Sequence, residues 1–155
     1  KIFNEAFAYS SISSIIIPKN VDYIGSLCFG NCKKLKNVEF DQDSNVFIDE
    51  SAFIDTALKG IILPKFVTMK CTIFDININS IEFLGDDVMP DKFLRNKASI
   101  VSFPNAQNII IYKNGFYDKK KVRIFVLPHA NIILKENYYD YQYYSDDYYN
   151  DDDSF

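Results

Sequence analysis

The chain has 155 residues, of which 48% are apolar and 25% charged, with a formal net charge of −4, three cysteines and one histidine. That apolar share suffices for one buried core, and no apolar run approaches the roughly 18 residues needed to cross a bilayer as a helix. Three cysteines do not make a disulfide framework, and the charge average hides a split: residues 1–135 hold 17 Lys and Arg against 14 Asp and Glu, while residues 136–155 hold seven acids and no base.

From the N-terminus the chain repeats the spacing apolar-x-x-apolar-x-apolar six times: Ile12-Ile15-Ile17, Leu35-Val38-Phe40, Leu58-Ile61-Leu63, Ile78-Ile81-Phe83, Ala98-Val101-Phe103 and Val122-Phe125-Leu127. The first members lie 23, 23, 20, 20 and 24 residues apart, and a period near twenty is the mark of a solenoid. An aromatic precedes each triplet, at Phe7, Phe29, Phe53, Phe74, Phe93 and Phe116, and Tyr139 continues the series. Proline follows four triplets directly, at Pro18, Pro64, Pro104 and Pro128, where its missing N–H would end a strand.

The second repeat carries Ile24-Gly25, Cys28-Phe29, Cys32, Leu35, Val38 and Phe40; the first carries Ala6-Phe7, Ser10, Ile12 and Ile17-Pro18; the third carries Ile48, Ala52-Phe53, Leu58 and Leu63-Pro64. This pattern resembles the BspA-type leucine-rich repeats of bacterial and protozoan surface proteins, which run approximately Ile-Gly-x-x-Ala-Phe-x-x-Cys-x-x-Leu-x-x-Ile-x-Ile-Pro. The resemblance covers residues 2 to about 139 and thins after Met69, where the aromatic persists without the preceding alanine. It implies an α/β or mainly β solenoid, a horseshoe or arc with about six short parallel strands on its concave face. It also implies a non-catalytic protein-binding module of a microbial surface or extracellular adhesion protein, with a host or cell-surface protein as partner. An intracellular protein-interaction scaffold is the alternative, favoured by unpaired cysteines, the absence of Asn-x-Ser/Thr sequons and an acidic tail.

In each triplet the last two apolar residues fit one face of a short strand and point inward. The residues between them then point outward: Ser14, Ile16, Asn37, Glu39, Gly60, Ile62, Ser80, Glu82, Ile100, Ser102, Ile124 and Val126. These twelve form the expected protein-binding face, roughly 24 Å across five strand spacings. Cys28 and Cys32 occupy the small-residue and cysteine positions of the repeat and are expected as buried compact side chains.

Several segments carry residues that could support chemistry. Asp86, Asp87 and Asp91 surround Pro90 in a polar stretch read as a projecting turn, without the ligand order of a calcium loop. Lys119, Lys120, Lys121 and Arg123 form a basic run too narrow for nucleic-acid binding. His129 follows Pro128 with no spaced nucleophile, and no phosphate loop, nucleophile elbow or zinc signature occurs. Glu39 and Glu82 would stand about 10 Å apart, near the outer limit for a pair of glycosidase carboxylates. No catalytic residue, cofactor or metal site is therefore expected.

Residues 1–139 are read as the solenoid, a fragment or processed form of a longer array because the chain opens inside a repeat without a polar cap. Residues 140–155, rich in Tyr and Asp and lacking aliphatics, are read as a disordered acidic tail.

Overall fold

The computed structural model describes residues 1–69, 78–85, 100–112, 123–126 and 130–135. Within them the chain winds as a solenoid of parallel strands, with no helix among the described residues. Of the two solenoid classes expected, it is the mainly β one.

The triplets supply one row of strands: β1 (Ser14–Ile17), β3 (Asn37–Phe40), β5 (Gly60–Leu63), β7 (Ser80–Phe83), β8 (Ile100–Phe103) and β10 (Arg123–Val126). They pair in parallel as β1-β3 and as β5-β7-β8-β10. Ile15 lies opposite Val38, and Ile61 opposite Ile81, itself opposite Val101. Period-two alternation turns these residues and their i+2 partners inward, so Ile17, Val38, Ile61, Leu63, Ile81, Phe83, Val101 and Phe103 are all buried. Pro18, Pro64 and Pro104 each follow the last residue of a strand, as their missing donor requires.

The last rung departs from the expected register. Ile124 pairs with Val101 and Val126 with Phe103, while Phe125 faces Ser102. Ile124 and Val126 therefore sit at the register positions of buried residues, not in the outward rows, and Phe125 does not continue the Ile61-Ile81-Val101 line. A slip of one residue exchanges the two faces of a strand. Ile124, Phe125, Val126 and Leu127 are all apolar, so alternation alone fits either register. The offset of 23 residues that joins Arg123 to Ile100 also joins Asn131 to Asn108 in the second layer, so one coil length serves both sides.

That second layer was not anticipated. It contains β2 (Tyr23–Ile24), β4 (Asn45–Ile48), β6 (Phe66–Met69), β9 (Asn108–Tyr112) and β11 (Asn131–Lys135), paired in parallel as β2-β4-β6 and β9-β11. Ile24, Val46, Ile48 and Ile109 point from it into the core. The Tyr23 and Phe47 rings stack across it, 5.9 Å between centroids.

A third side carries the aromatics. Alternate residues bond to the following coil: Glu5, Phe7 and Tyr9 N–H donate to Ser26, Cys28 and Gly30, and Leu27, Phe29 and Asn31 donate to Glu50, Ala52 and Ile54. The residues between them close turns, as when Ala6, Ala8 and Ser10 donate to Phe3, Glu5 and Phe7. This geometry uses two left-handed residues per coil, four apart: Glu5 and Tyr9, Leu27 and Asn31, Ser51 and Asp55, with φ between 54° and 61°. None is glycine, and such residues persist only where surrounding bonds over-determine them. The intercoil ladder supplies those bonds.

Phe7, Phe29 and Phe53 stack in line from this side, with centroids 5.3 and 5.2 Å apart and rings nearly parallel. Cys28 and Cys32 are buried and free, and Cys32 Sγ donates to the Phe7 carbonyl at 3.0 Å. Phe74, Phe93, Phe116, Cys71, Pro128, His129, the acidic turn at 86–92, Lys119 to Lys121 and the tail 140–155 lie outside the described residues.

Candidate functional site

The outward face of the triplet strands falls into two rows. The first is Ser14, Asn37, Gly60, Ser80 and Ile100; the second is Ile16, Glu39, Ile62, Glu82 and Ser102. None of these ten residues is buried. Ile124 and Val126, placed by register opposite buried residues, complete neither row.

Small residues in the first row make the face hollow. A Cβ on Gly60 would come within 2.5 Å of Ser80 Oγ, so glycine leaves a gap where any side chain would press on the next rung. The hollow encloses about 470 Å³ and is lined by Lys36, Asn37, Glu39, Gly60, Ile62, Ser80, Glu82, Ile100 and Ser102, with Val38, Ile61 and Ile81 at its floor. Eight of the twelve sequence-derived face residues therefore border one cavity. Lys36, one position before β3, was not among them; it lies at the strand entry, outside the alternation used to select the face.

A break in the sheet coincides with the hollow. β3 and β5 share no ladder, and the coils there are tied at either end instead, by Ala57 N–H to Leu35 O and Lys65 N–H to Gln42 O, both 3.0 Å. Triplet spacing gives no sign of such a break, because residues 37–40 and 60–63 keep the same 23-residue offset that joins β1 to β3.

The surface chemistry of the face is mixed. Ile16 is 71% exposed and Ile62 54%, too open for cross-strand contacts to account for their burial, and aliphatic surface of this kind in a polar surround marks contact sites. Ser102 Oγ donates to Glu82 Oε2 at 3.0 Å and fixes that carboxylate. Among the described residues no aromatic lines the hollow. Glu39 and Glu82 are two rungs apart, and among the described residues no histidine, cysteine or third acid lines the cavity. Among the described residues no cluster of three or more His, Cys, Asp or Glu could hold a metal ion, and no helix is long and apolar enough to cross a membrane.

The cysteines stand apart from this face. Burial pushes the Cys28 thiol up to about 12, with the neighbouring Cys32 adding to the shift. A thiol so reluctant to ionise is a poor nucleophile or metal ligand at neutral pH.

Compared with known proteins, residues 1–123 match the family model described as BspA type Leucine rich repeat region, in six copies. The match ends at residue 123, short of the 139 that the aromatic and apolar spacing alone reaches. No curated protein and no solved structure matches the chain.

Proposed function

Because the chain belongs to the BspA type leucine-rich repeat family, we propose that it is a non-catalytic protein-binding repeat module whose contact surface is the outward face of the triplet strands, acting at a microbial cell surface in adhesion. The observation that carries this reading is the hollow bordered by Asn37, Glu39, Gly60, Ile62, Ser80, Glu82, Ile100 and Ser102. Rigid parallel strands hold these side chains, so a partner meets a preformed surface and little ordering entropy opposes binding. Exposed Ile16 and Ile62 supply apolar contact, and the serines, Asn37 and the two glutamates supply direction. The adhesion and surface assignment rests on the family resemblance.

The free, buried state of Cys28 and Cys32 favours a second reading, an intracellular scaffold using the same face.

A photo-crosslinking amino acid placed at Ile62, compared with one at exposed Thr68 in the second layer, tests the face. A protein adduct from position 62 and not from 68 is expected; adducts from 68 alone would move the contact surface away from the triplet strands. Protease treatment of intact cells separates the two locations: cleavage supports the adhesin, protection the scaffold.

A further inference from the structure

We infer that the acidic segment 136–155 of this chain docks on a lysine corner of its own solenoid, where the backbone enters β3 and β5. The inference goes beyond the protein-binding reading and does not depend on it. Repeat geometry builds the corner. Ser13, Lys36, Lys59 and Asn79 each stand one residue before a triplet strand, β1, β3, β5 and β7 in turn, and all four are exposed. One bonding pattern recurs there: the Ser13 carbonyl accepts the N–H groups of Lys36 and Asn37 at 2.9 and 3.4 Å, and the Lys59 carbonyl those of Asn79 and Ser80 at 2.7 and 3.2 Å. The 3.0 Å bond from Ala57 N–H to Leu35 O ties the Lys36 and Lys59 coils at this same end.

Charge is sorted along the coil. Residues 1–69 contain seven lysines, and four of them, Lys33, Lys34, Lys36 and Lys59, crowd this corner in two adjacent coils, all exposed. Lys19 and Lys65 lie past the opposite end of the strands, where a hydrogen bond and the charge of Lys65, with the charge of Lys19, hold the Asp43 carboxyl below its ordinary value. The acids are distributed differently: Asp41 and Asp43 come after β3, Asp49 and Glu50 after β4. Asp55 bridges to Lys33 at 3.2 Å, and Glu39 stands three residues beyond Lys36. Four lysines against these two acids leave two positive charges beside a first outward row, Ser14, Asn37, Gly60 and Ser80, that bears none.

The chain carries a matching anion. Residues 136–155 hold seven acids and no base, with five of the acids at Asp146, Asp147, Asp151, Asp152 and Asp153, and opposite charge draws such a segment to the corner. Reach is sufficient. β5 and β10 are separated by three laddered spacings, about 14 Å, and the layer of β11 lies about 10 Å from that of the triplet strands. The 11 residues from Asn137 and its neighbour Glu136 to Asp146 span up to about 36 Å. Tethering favours this segment over a free anion: exposed ion pairs are individually weak, and a covalently linked segment meets the corner at about millimolar effective concentration. Lys36 also borders the hollow, so the docked segment stands at its mouth.

Zero-length carbodiimide coupling of the full chain tests the contact, because it joins an amine to a carboxylate only where the two touch. Chains with and without heavy-nitrogen label are mixed, and the links are read by mass spectrometry. Links within one chain from Lys34, Lys36 or Lys59 to the five aspartates are expected to exceed those from Lys1, Lys19 or Lys65 at least about fivefold, and to fade in about 0.5 M salt. The combined variant Asp146→Asn, Asp147→Asn, Asp151→Asn, Asp152→Asn and Asp153→Asn should raise lysine acetylation at positions 36 and 59 about two- to fivefold and leave position 19 unchanged; far-UV circular dichroism verifies that it folds. Links shared equally with Lys1, Lys19 and Lys65, links only between chains of unlike label, or no links each overturn the inference. Corner acetylation that ignores the asparagine variant but slows with added polyglutamate also overturns it, and assigns the corner to a free polyanion. The adduct at position 62 is independent of these readings: its loss removes the binding face and not the docked segment, and missing carbodiimide links do the reverse.

Discussion

Truncating Phe29 tests whether the aromatic stack is a spine shared by successive coils. Its ring is fully buried and lies between Phe7 and Phe53 at 5.3 and 5.2 Å. Phe→Ala in a core costs about 3–5 kcal/mol, and each ring pair contributes about 0.5–1.5 kcal/mol beyond area burial. With two pairs lost and neighbours on both sides held by intercoil bonds, Phe29→Ala belongs at the upper end, about 4–5 kcal/mol. Phe7 is 37% exposed and stacks on Phe29 alone among the described rings, so Phe7→Ala should cost only about 2 kcal/mol. Phe29→Leu, which keeps most of the volume and loses the stacking, should cost about 1.5 kcal/mol. Urea unfolding followed by far-UV circular dichroism, with m-values checked for a change in the cooperative unit, reads these differences. If Phe29→Ala reduces the large domain stability to nothing, the leucine variant still reports the ranking. A Phe7→Ala cost equal to or above that of Phe29→Ala would refute a continuous stack.

Gly85→Ala should destabilise by about 1–3 kcal/mol in the same assay, because a Cβ there overlaps the Lys65 backbone carbonyl and the two coils must part; a neutral result would mean that the coils do not meet there. Ser44 Oγ is buried without a hydrogen-bond partner, so Ser44→Ala should raise stability by about 1 kcal/mol, and a loss would show that the hydroxyl is satisfied. Cys28 titrates at about 12 in the folded chain, against about 8.5 for a free thiol. Above the lower value the unfolded state sheds a proton that the folded state retains, so stability is full below about pH 8.5 and is lost progressively toward pH 12. Cys28→Ala, which places alanine where the first and third coils have Ala6 and Ala52, should flatten that alkaline decline; identical pH profiles for both proteins would contradict it.

The inward half of the fold was legible because burial writes itself into spacing. Ile15, Val38, Ile61, Ile81 and Val101 recur with their i+2 partners at coil length, and Glu39, Glu82 and Ser102 between the partners mark the outward face in three of those strands, whereas Ile16 and Ile62 take their face from the repeat alone. At Arg123–Val126 that contrast disappears, since three consecutive apolar residues satisfy either face, and register passes to the coil length shared with Asn108 and Asn131. The second layer leaves a weak trace in the sequence for a different reason. β2 has two residues, and in Phe66–Met69 the exposed Phe66 is as apolar as the half-buried Val67 and Met69, so neither shows a clear hydrophobic period.

The left-handed backbone at Leu27 and Ser51 is imposed by bonds to the next coil and leaves no glycine to mark it. For the candidate site, alternation places ten of the twelve expected residues in the two outward rows, whereas the room that Gly60 leaves for Ser80 shows only in the packing. The break between β3 and β5, and the entry of Lys36 into the hollow, depend on how two coils meet and have no counterpart in a repeat spacing.

Engineered disulfides measure the stacking of outward residues most directly. In a background with Cys28, Cys32 and Cys71 replaced by alanine, the pair Ile62→Cys and Glu82→Cys occupies directly opposed positions on β5 and β7. Adjacent strands lie about 4.8 Å apart, within the Cα range a disulfide bridges. The pair Ile62→Cys and Ile81→Cys points to opposite faces of the same two strands. Rapid oxidation of the first pair with the second remaining reduced is the expected result; cross-linking of the second pair, or of neither, would contradict a parallel in-register coil stack and the binding face built on it.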